Sequence, residues 1–268
     1  MNDIFGKNIK ELQSKKLFLL DQDGTLYNGG SLFGETPLFL EEIKKHGARY
    51  IFITNNSSRS VADYVTRMIS MGINTNESEF FTSSQATAIY LNENYPGKKV
   101  YCVGTASLCH ELTTAGITLV DHLEAEIALI GYDIELNYQK LHDICELLTL
   151  KDVPFIATNP DWVCPIDFGY VPDCGSFCFM ITKATGKEPF YIGKPRPAMI
   201  DIITKKLGIS KEDTVVIGDR LYTDILSAFN AHVTSVCVLT GEAKLSDITE
   251  SLIKPDYTLQ SIGDIFRK

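Results

Sequence analysis

The sequence predicts a doubly wound α/β fold, a parallel sheet covered by helices on both faces. Three observations predict it. Short apolar, β-rich runs recur along the chain, at Leu17–Leu20, Tyr50–Thr54, Lys99–Val103, Ile127–Ile130, Phe155–Thr158, Val215–Ile217 and Ser235–Leu239. They read as continuous rather than alternating runs, as strands buried on both faces do. Helical patterns fill the gaps between them, and 268 residues with 44% hydrophobic content supply a large core.

The first run, Leu17-Phe18-Leu19-Leu20, opens into Asp21-Gln22-Asp23-Gly24-Thr25. The second, Tyr50-Ile51-Phe52-Ile53, ends in Thr54-Asn55-Asn56-Ser57-Ser58-Arg59. A helix follows over 60–72, where Val61, Tyr64, Val65 and Met68 recur at helical spacing, with Ser58 or Ser60 as N-cap and Gly72 as the stop. A later helix begins at Pro197, sets Ile200, Ile203 and Leu207 on one face, and stops at Gly208. In a fold of this class ligands bind beyond the carboxyl ends of the strands, so the residues just after each apolar run carry the functional question.

Composition narrows the answer. Thirty-four acidic against 25 basic residues give a net charge of −9, which disfavours nucleic acid and anionic membrane surfaces as partners. No apolar run approaches the roughly 20 residues of a membrane span. The segment 1–16 is polar and has no apolar signal core, so a cytoplasmic location is expected. Seven dispersed cysteines without a C-x-x-C pair read as reduced thiols rather than a disulfide framework or zinc site; Cys174 and Cys178 can share a helix face.

Asp21 and Asp23 place two carboxylates at the mouth of the crevice. At about 4 Å two such charges repel by about 4 kcal/mol in an effective dielectric near 20, so the pair asks for a cation or a shared proton. A plain turn is the alternative, since Asp, Gly and Thr are turn residues. An EF-hand fits worse, with Gly24 at loop position four and Leu32 at position twelve. Thr54 and the amides after it can cradle an anion or simply cap a helix. Lys194, in Gly193-Lys194-Pro195, is either an exposed lysine or a charge for that anion. Asp219 and Asp224, five apart, follow the Val215–Ile217 run, where they can serve as a helix cap and its first-turn neighbour.

Taken together, Asp21-x-Asp23-Gly24-Thr25, Thr54, Gly193-Lys194-Pro195 and Gly218-Asp219 with Asp224 resemble, in order and strand context, the four motifs of the haloacid dehalogenase superfamily of phosphohydrolases. Thr54-Asn55-Asn56-Ser57-Ser58, Thr158-Asn159-Pro160-Asp161, Pro172-Asp173-Cys174-Gly175-Ser176 and Leu239-Thr240-Gly241 resemble its subclass IIA, the p-nitrophenyl phosphatase-like group. That resemblance implies a Rossmann-like core with a large inserted α/β cap of type C2. Thr54 and Lys194 stand about 140 positions apart yet both belong at one phosphate, so the chain between them must leave the core and return. The boundaries this sets are 1–82 and 188–268 for the core and 83–187 for the cap.

The resemblance also assigns roles. Asp21 is the nucleophile that forms an aspartyl-phosphate, and Asp23 the acid that protonates the leaving oxygen and then activates water. Mg²⁺ is held by Asp21, the backbone carbonyl of Asp23 and Asp219, with Asp224 in support through the second shell or a water. Thr54, Asn55, Asn56 and Lys194 bind the phosphoryl group. The segment from Asp161 to Asp167 resembles the substrate-specificity loop, with Cys164 or Asp167 at the leaving group. Gln22 replaces the apolar residue common between the two acids and points away from phosphorus. The implied function is a Mg²⁺-dependent phosphatase of small phosphorylated metabolites, with the cap as a lid and a homodimer formed through it. The alternatives are a phosphotransferase or mutase using the same intermediate, and a non-catalytic metabolite-binding module.

Overall fold

The computed structural model describes residues 1–166 and 168–267. Its two larger sheets are built from parallel strands and flanked by helices, the α/β class that the apolar runs predict. Two compact units make up the chain. The first comprises Met1–Thr54, Val65–Phe81 and Lys194–Lys268; the second comprises Asn55–Tyr64 and Thr82–Gly193. The second unit thus takes in Asn55–Tyr64 besides a stretch close to the 83–187 expected from the sequence.

The first unit is built on a six-stranded sheet in the order Tyr257–Leu259, Thr234–Val238, Thr214–Gly218, Leu17–Leu20, Arg49–Thr54 and Phe80–Thr82. The strands from Tyr257–Leu259 through Arg49–Thr54 pair in parallel. Every residue of Leu17–Leu20 and of Thr214–Gly218 is buried, which is why these central strands read as unbroken apolar runs. In register, Leu20 lies opposite both Ile217 and Phe52, so the strands that end in Asp21, Asp219 and Thr54 finish on the same edge.

The second unit carries a five-stranded parallel sheet in the order Phe190–Tyr191, Phe155–Ala157, Ile127–Ile130, Lys99–Val103 and Thr118–Leu119. Val103, Ile130, Ile144, Leu147, Phe177 and Ile181 belong to its core. Cys174 and Cys178 face each other there with sulfurs 4.0 Å apart, and all seven cysteines are free thiols. An antiparallel hairpin pairs Val163–Ile166 with Gly169–Pro172.

The predicted helices form where their caps place them. Over 60–72 the helix is Val61–Ser70; Ser60 Oγ accepts from the backbone N–H of Asp63 at 3.2 Å, and Asp63 returns the bond to the N–H of Ser60 at 2.9 Å. Val61, Tyr64 and Met68 are its buried positions and Val65 is half-buried. The second helix is Ala198–Leu207, closed by Gly208 at φ +64°, a left-handed cap that glycine adopts without steric cost.

Candidate active site

Four elements of the first unit deliver charge to one place. The Leu17–Leu20 strand ends in Asp21, whose N–H donates to Ile217 O at 2.9 Å and so ties the two central strands together at their carboxyl ends. Gly218 ends the neighbouring strand and Asp219 follows it. The chain then makes a wide π-helical turn over Leu221–Ile225, in which the N–H of Ile225 bonds Arg220 O at 3.2 Å. Such single π turns gather at functional sites, and this one turns Asp224 inward to full burial. Lys194 comes from the segment ahead of the Ala198–Leu207 helix and is also buried.

These side chains converge. Lys194 Nζ donates to Asp21 Oδ1 at 2.5 Å and to Asp224 Oδ1 at 2.6 Å. Carboxylate oxygens of Asp21, Asp219 and Asp224 all lie within 4.8 Å of one another. Asp224 Oδ2 accepts from the N–H of Arg220 at 3.2 Å, and Asp219 Oδ2 from the N–H of Glu242 at 2.7 Å. Asp219 Oδ1 is shut away from solvent and has no hydrogen-bond partner. A buried carboxylate oxygen left this way is costly unless something absent from the polypeptide satisfies it.

The electrostatics agree with the geometry. Burial pushes the Asp21 carboxyl well above the usual carboxylate range, and the Asp224 charge adds to the rise against the lowering pull of Lys194. Burial and then the Asp224 charge push Asp219 up to about 6. Burial works against the Lys194 ammonium, yet the charges of Asp21 and Asp224 outweigh it and hold the lysine above its ordinary range. One ammonium faces three carboxylates, so the cluster is short of positive charge. The donor set is all hard oxygen and includes an orphaned one, which fits a divalent cation such as Mg²⁺.

Two glycines let the carboxylates in. Gly24 sits at φ +82°, and a Cβ built on it would overlap the Asp219 carboxylate; one built on Gly241 would overlap the same group. Asp23 lies apart from the cluster by its side chain, which is 46% exposed and has Arg67 Nη2 at 3.8 Å. The Arg67 guanidinium also stacks 4.8 Å over the Tyr27 ring and donates to Gly29 O at 2.6 Å. Arg67 is a residue the sequence reading missed, because a lone arginine in the last turn of a helix gives no pattern to find. Gln22 is buried and its Oε1 accepts from Tyr27 OH at 3.1 Å. Thr54 is buried at the end of its strand.

Asn55, Asn56 and Cys164 group separately, within the second unit. Asn55 Nδ2 donates to Asp161 Oδ2 at 2.7 Å, and Asn159 Nδ2 donates to the same oxygen at 2.9 Å and to Asp173 Oδ1 at 3.0 Å. Asn56 Oδ1 accepts from the N–H and hydroxyl of Ser58, while its Nδ2 stands 4.0 Å from Cys164 Sγ. The Asn55 side-chain amide is thus engaged with a buried aspartate. Asp167 lies outside the described residues.

Comparison with known proteins bears on the whole chain. A family model described as haloacid dehalogenase-like hydrolase matches residues 18–118, and an HAD-hydrolase-like model matches residues 191–265. Ribonucleotide monophosphatase NagD of Escherichia coli K12 is 34% identical over 250 residues, covering 93% of this chain and 98% of NagD. The 5'-nucleotidase YutF of Bacillus subtilis is 31% identical over 94% of this chain and 98% of its own length. The crystal structure of a 4-nitrophenylphosphatase from Thermotoga maritima superposes with a TM-score of 0.91 at 35% identity, over 96% of this chain and 98% of that one. A glycerol phosphate phosphatase from Mycobacterium tuberculosis, solved in complex with magnesium, superposes with a TM-score of 0.89 at 28% identity, over 97% of this chain and 78% of that one. With its acidic strand ends in the order of that family and relatives matched along nearly its full length, the chain belongs to the haloacid dehalogenase-like hydrolases, in the subclass of NagD and the p-nitrophenyl phosphatases.

Proposed function

We propose that this chain is a Mg²⁺-dependent phosphatase that hydrolyses small phosphomonoesters through a phosphorylated Asp21. The observation that carries the reading is the buried cluster itself: two carboxylates just after parallel strands and a third from the turn that follows, facing the ammonium of Lys194. Relatives named as phosphatases of nucleotides, 4-nitrophenyl phosphate and glycerol phosphate support it.

Asp21, Asp219 and Asp224, with the Asp23 carbonyl, are the groups to hold Mg²⁺, which when bound supplies positive charge against the phosphoryl oxygens and keeps the carboxylates ionised. Asp21 attacks phosphorus with one carboxylate oxygen, forming an acyl phosphate and releasing the alcohol. Asp23, more exposed and beside the crevice mouth, gives its proton to the leaving oxygen and then takes one from the water that cleaves the acyl phosphate. Lys194 holds Asp21 in place through a direct hydrogen bond and offers its charge to the phosphoryl group as negative charge builds. Thr54 and the backbone that follows it at Asn55 and Asn56 bind the remaining phosphoryl oxygens, the Asn55 side chain being engaged with Asp161.

The first unit supplies this chemistry and the second selects the substrate. The net charge of −9 supports a small phosphorylated metabolite over nucleic acid. Among the described residues no helix is long and apolar enough to cross a membrane. Exposed Trp162, Phe168 and Tyr170 around the hairpin of the second unit support a homodimer formed there. The test is phosphate release from p-nitrophenyl phosphate and a panel of sugar, glycerol and nucleoside monophosphates. The reading expects release with Mg²⁺ and none with EDTA; metal-independent release, or none from any ester, contradicts it.

A further inference from the structure

A second set of metal-ligating side chains lies within the second unit. The short turn His122–Glu124, capped by Asp121, packs beside the helix Tyr138–Leu150. Asp143 and Glu146 are three residues apart on that helix and so share the face that meets His122. His122 Nε2 stands 3.0 Å from Glu146 Oε2, and His142 Nδ1 stands 3.1 Å from Asp143 Oδ1 and 3.9 Å from Glu146 Oε2. One ligand atom each of His122, Asp143 and Glu146 falls within 4.8 Å of the others.

We propose that His122, Asp143 and Glu146 form a binding site for a borderline-soft divalent metal ion, Zn²⁺ or a chemical equivalent such as Co²⁺, with water completing the coordination. Metal–ligand bonds of about 2.0–2.2 Å set tetrahedral ligand atoms about 3.4 Å apart, near the 3.0 Å between His122 Nε2 and Glu146 Oε2. Imidazole donors select Zn²⁺, Co²⁺ or Ni²⁺, whereas the all-oxygen cluster of the first unit suits Mg²⁺, so donor chemistry sorts the two ions.

Two further observations point the same way. Asp121, Asp143 and Glu146 have no lysine or arginine ion pair among the described residues; their charged contacts are the two histidines alone. His122 Nδ1 is buried and makes no hydrogen bond of acceptable angle, although Asp121 Oδ1 is 3.0 Å away. A metal on Nε2 leaves the proton on Nδ1, and a small swing of the ring directs it to Asp121, the carboxylate–histidine pairing found behind metal-bound imidazoles. Tyr101 OH, 3.4 Å from Asp143 Oδ2, supports the other side. The inference is independent of the reaction proposed above.

The test is calorimetric titration of Zn²⁺ into the full chain, with thiols kept reduced and Mg²⁺ in excess to fill the first-unit cluster. It compares wild type, Glu146→Gln and the double variant His122→Gln/Glu146→Gln. The expected result is one Zn²⁺ per chain in wild type, at least about tenfold weaker binding in Glu146→Gln, and none in the double variant. The Glu146 side chain is 37% exposed, so its isosteric replacement reads out binding in a folded chain even where the double variant fails to fold. Co²⁺ in place of Zn²⁺ should show ligand-field bands without thiolate charge transfer. No Zn²⁺ bound in wild type, equal binding in the variants, or a thiolate band that assigns the metal to cysteine overturns the site.

Discussion

Lys194 Nζ donates to Asp21 Oδ1 at 2.5 Å across 173 positions of sequence, and the same ammonium bonds Asp224 at 2.6 Å. Among the described residues the lysine is the one positive charge bonded to these acids, so the proposed mechanism gives it two tasks, one in the fold and one at the phosphoryl group.

Replacing Lys194 with Met should therefore have two effects. Losing one preorganised charge at a phosphoryl group costs about 10²–10³ in kcat. Removing one partner of a buried ion pair destabilises by about 3–5 kcal/mol, and here the loss should be largest in EDTA. Urea denaturation with and without Mg²⁺, beside steady-state rates, checks both.

Protons and Mg²⁺ compete for the cluster. Asp219 is pushed up to about 6 by burial and by Asp224, and Asp21 is also raised. Binding a cation requires both ionised, so Mg²⁺ affinity should climb as pH rises through about 6 and protons should be released on binding at pH 6. Calorimetry in buffers of different ionisation enthalpy measures that release.

The same shift has a sign for stability. A carboxyl whose folded pKa is raised contributes stability fully below its unfolded pKa, and that contribution is lost as pH rises through the folded value. In EDTA, Asp219→Asn should gain on wild type by up to about 3 kcal/mol at pH 7.5, with the gain shrinking toward pH 4. Asn keeps an acceptor for the N–H of Glu242. Mg²⁺ should reverse the order, because the variant has lost a ligand. Thermal melts across pH for the pair read this directly.

Gly24→Ala adds a Cβ where φ is +82° and where the Asp219 carboxylate already stands. The left-handed backbone alone costs about 1–2 kcal/mol, and the displaced carboxylate should weaken Mg²⁺ binding as well. Loss of stability with unchanged Mg²⁺ affinity would show that Asp219 tolerates the crowding.

Asn55→Ala removes a hydrogen bond to buried Asp161 and leaves that acid with one fewer donor. A cost of about 1–3 kcal/mol follows. The variant should lose thermal stability while retaining turnover at saturating substrate; a collapse of kcat without loss of stability would give the side chain a direct role in the reaction.

The interior of the fold was legible because its strands are buried on both faces. Leu17–Leu20, Ile127–Ile130 and Thr214–Gly218 are buried along their whole length and run where the apolar residues run. Phe80–Thr82 and Tyr257–Leu259 were not legible, being three-residue edge strands too short to show a period. The Val163–Ile166 and Gly169–Pro172 hairpin is half-exposed and contains two prolines, which mask a strand signal. In the site, the acids were legible by position, each following an apolar run. The bond from Lys194 to Asp224, the orphaned Asp219 oxygen and the engagement of Asn55 with Asp161 were not, since each depends on residues distant in sequence.

The central claim is that Asp21 carries the phosphoryl group. Phosphate release from p-nitrophenyl phosphate by wild type and by Asp21→Asn, each with Mg²⁺ and with EDTA, tests it most directly, with circular dichroism to confirm that both chains are folded. The account predicts Mg²⁺-dependent release by wild type and none above background by the folded variant. Release by Asp21→Asn at a rate comparable to wild type would contradict it.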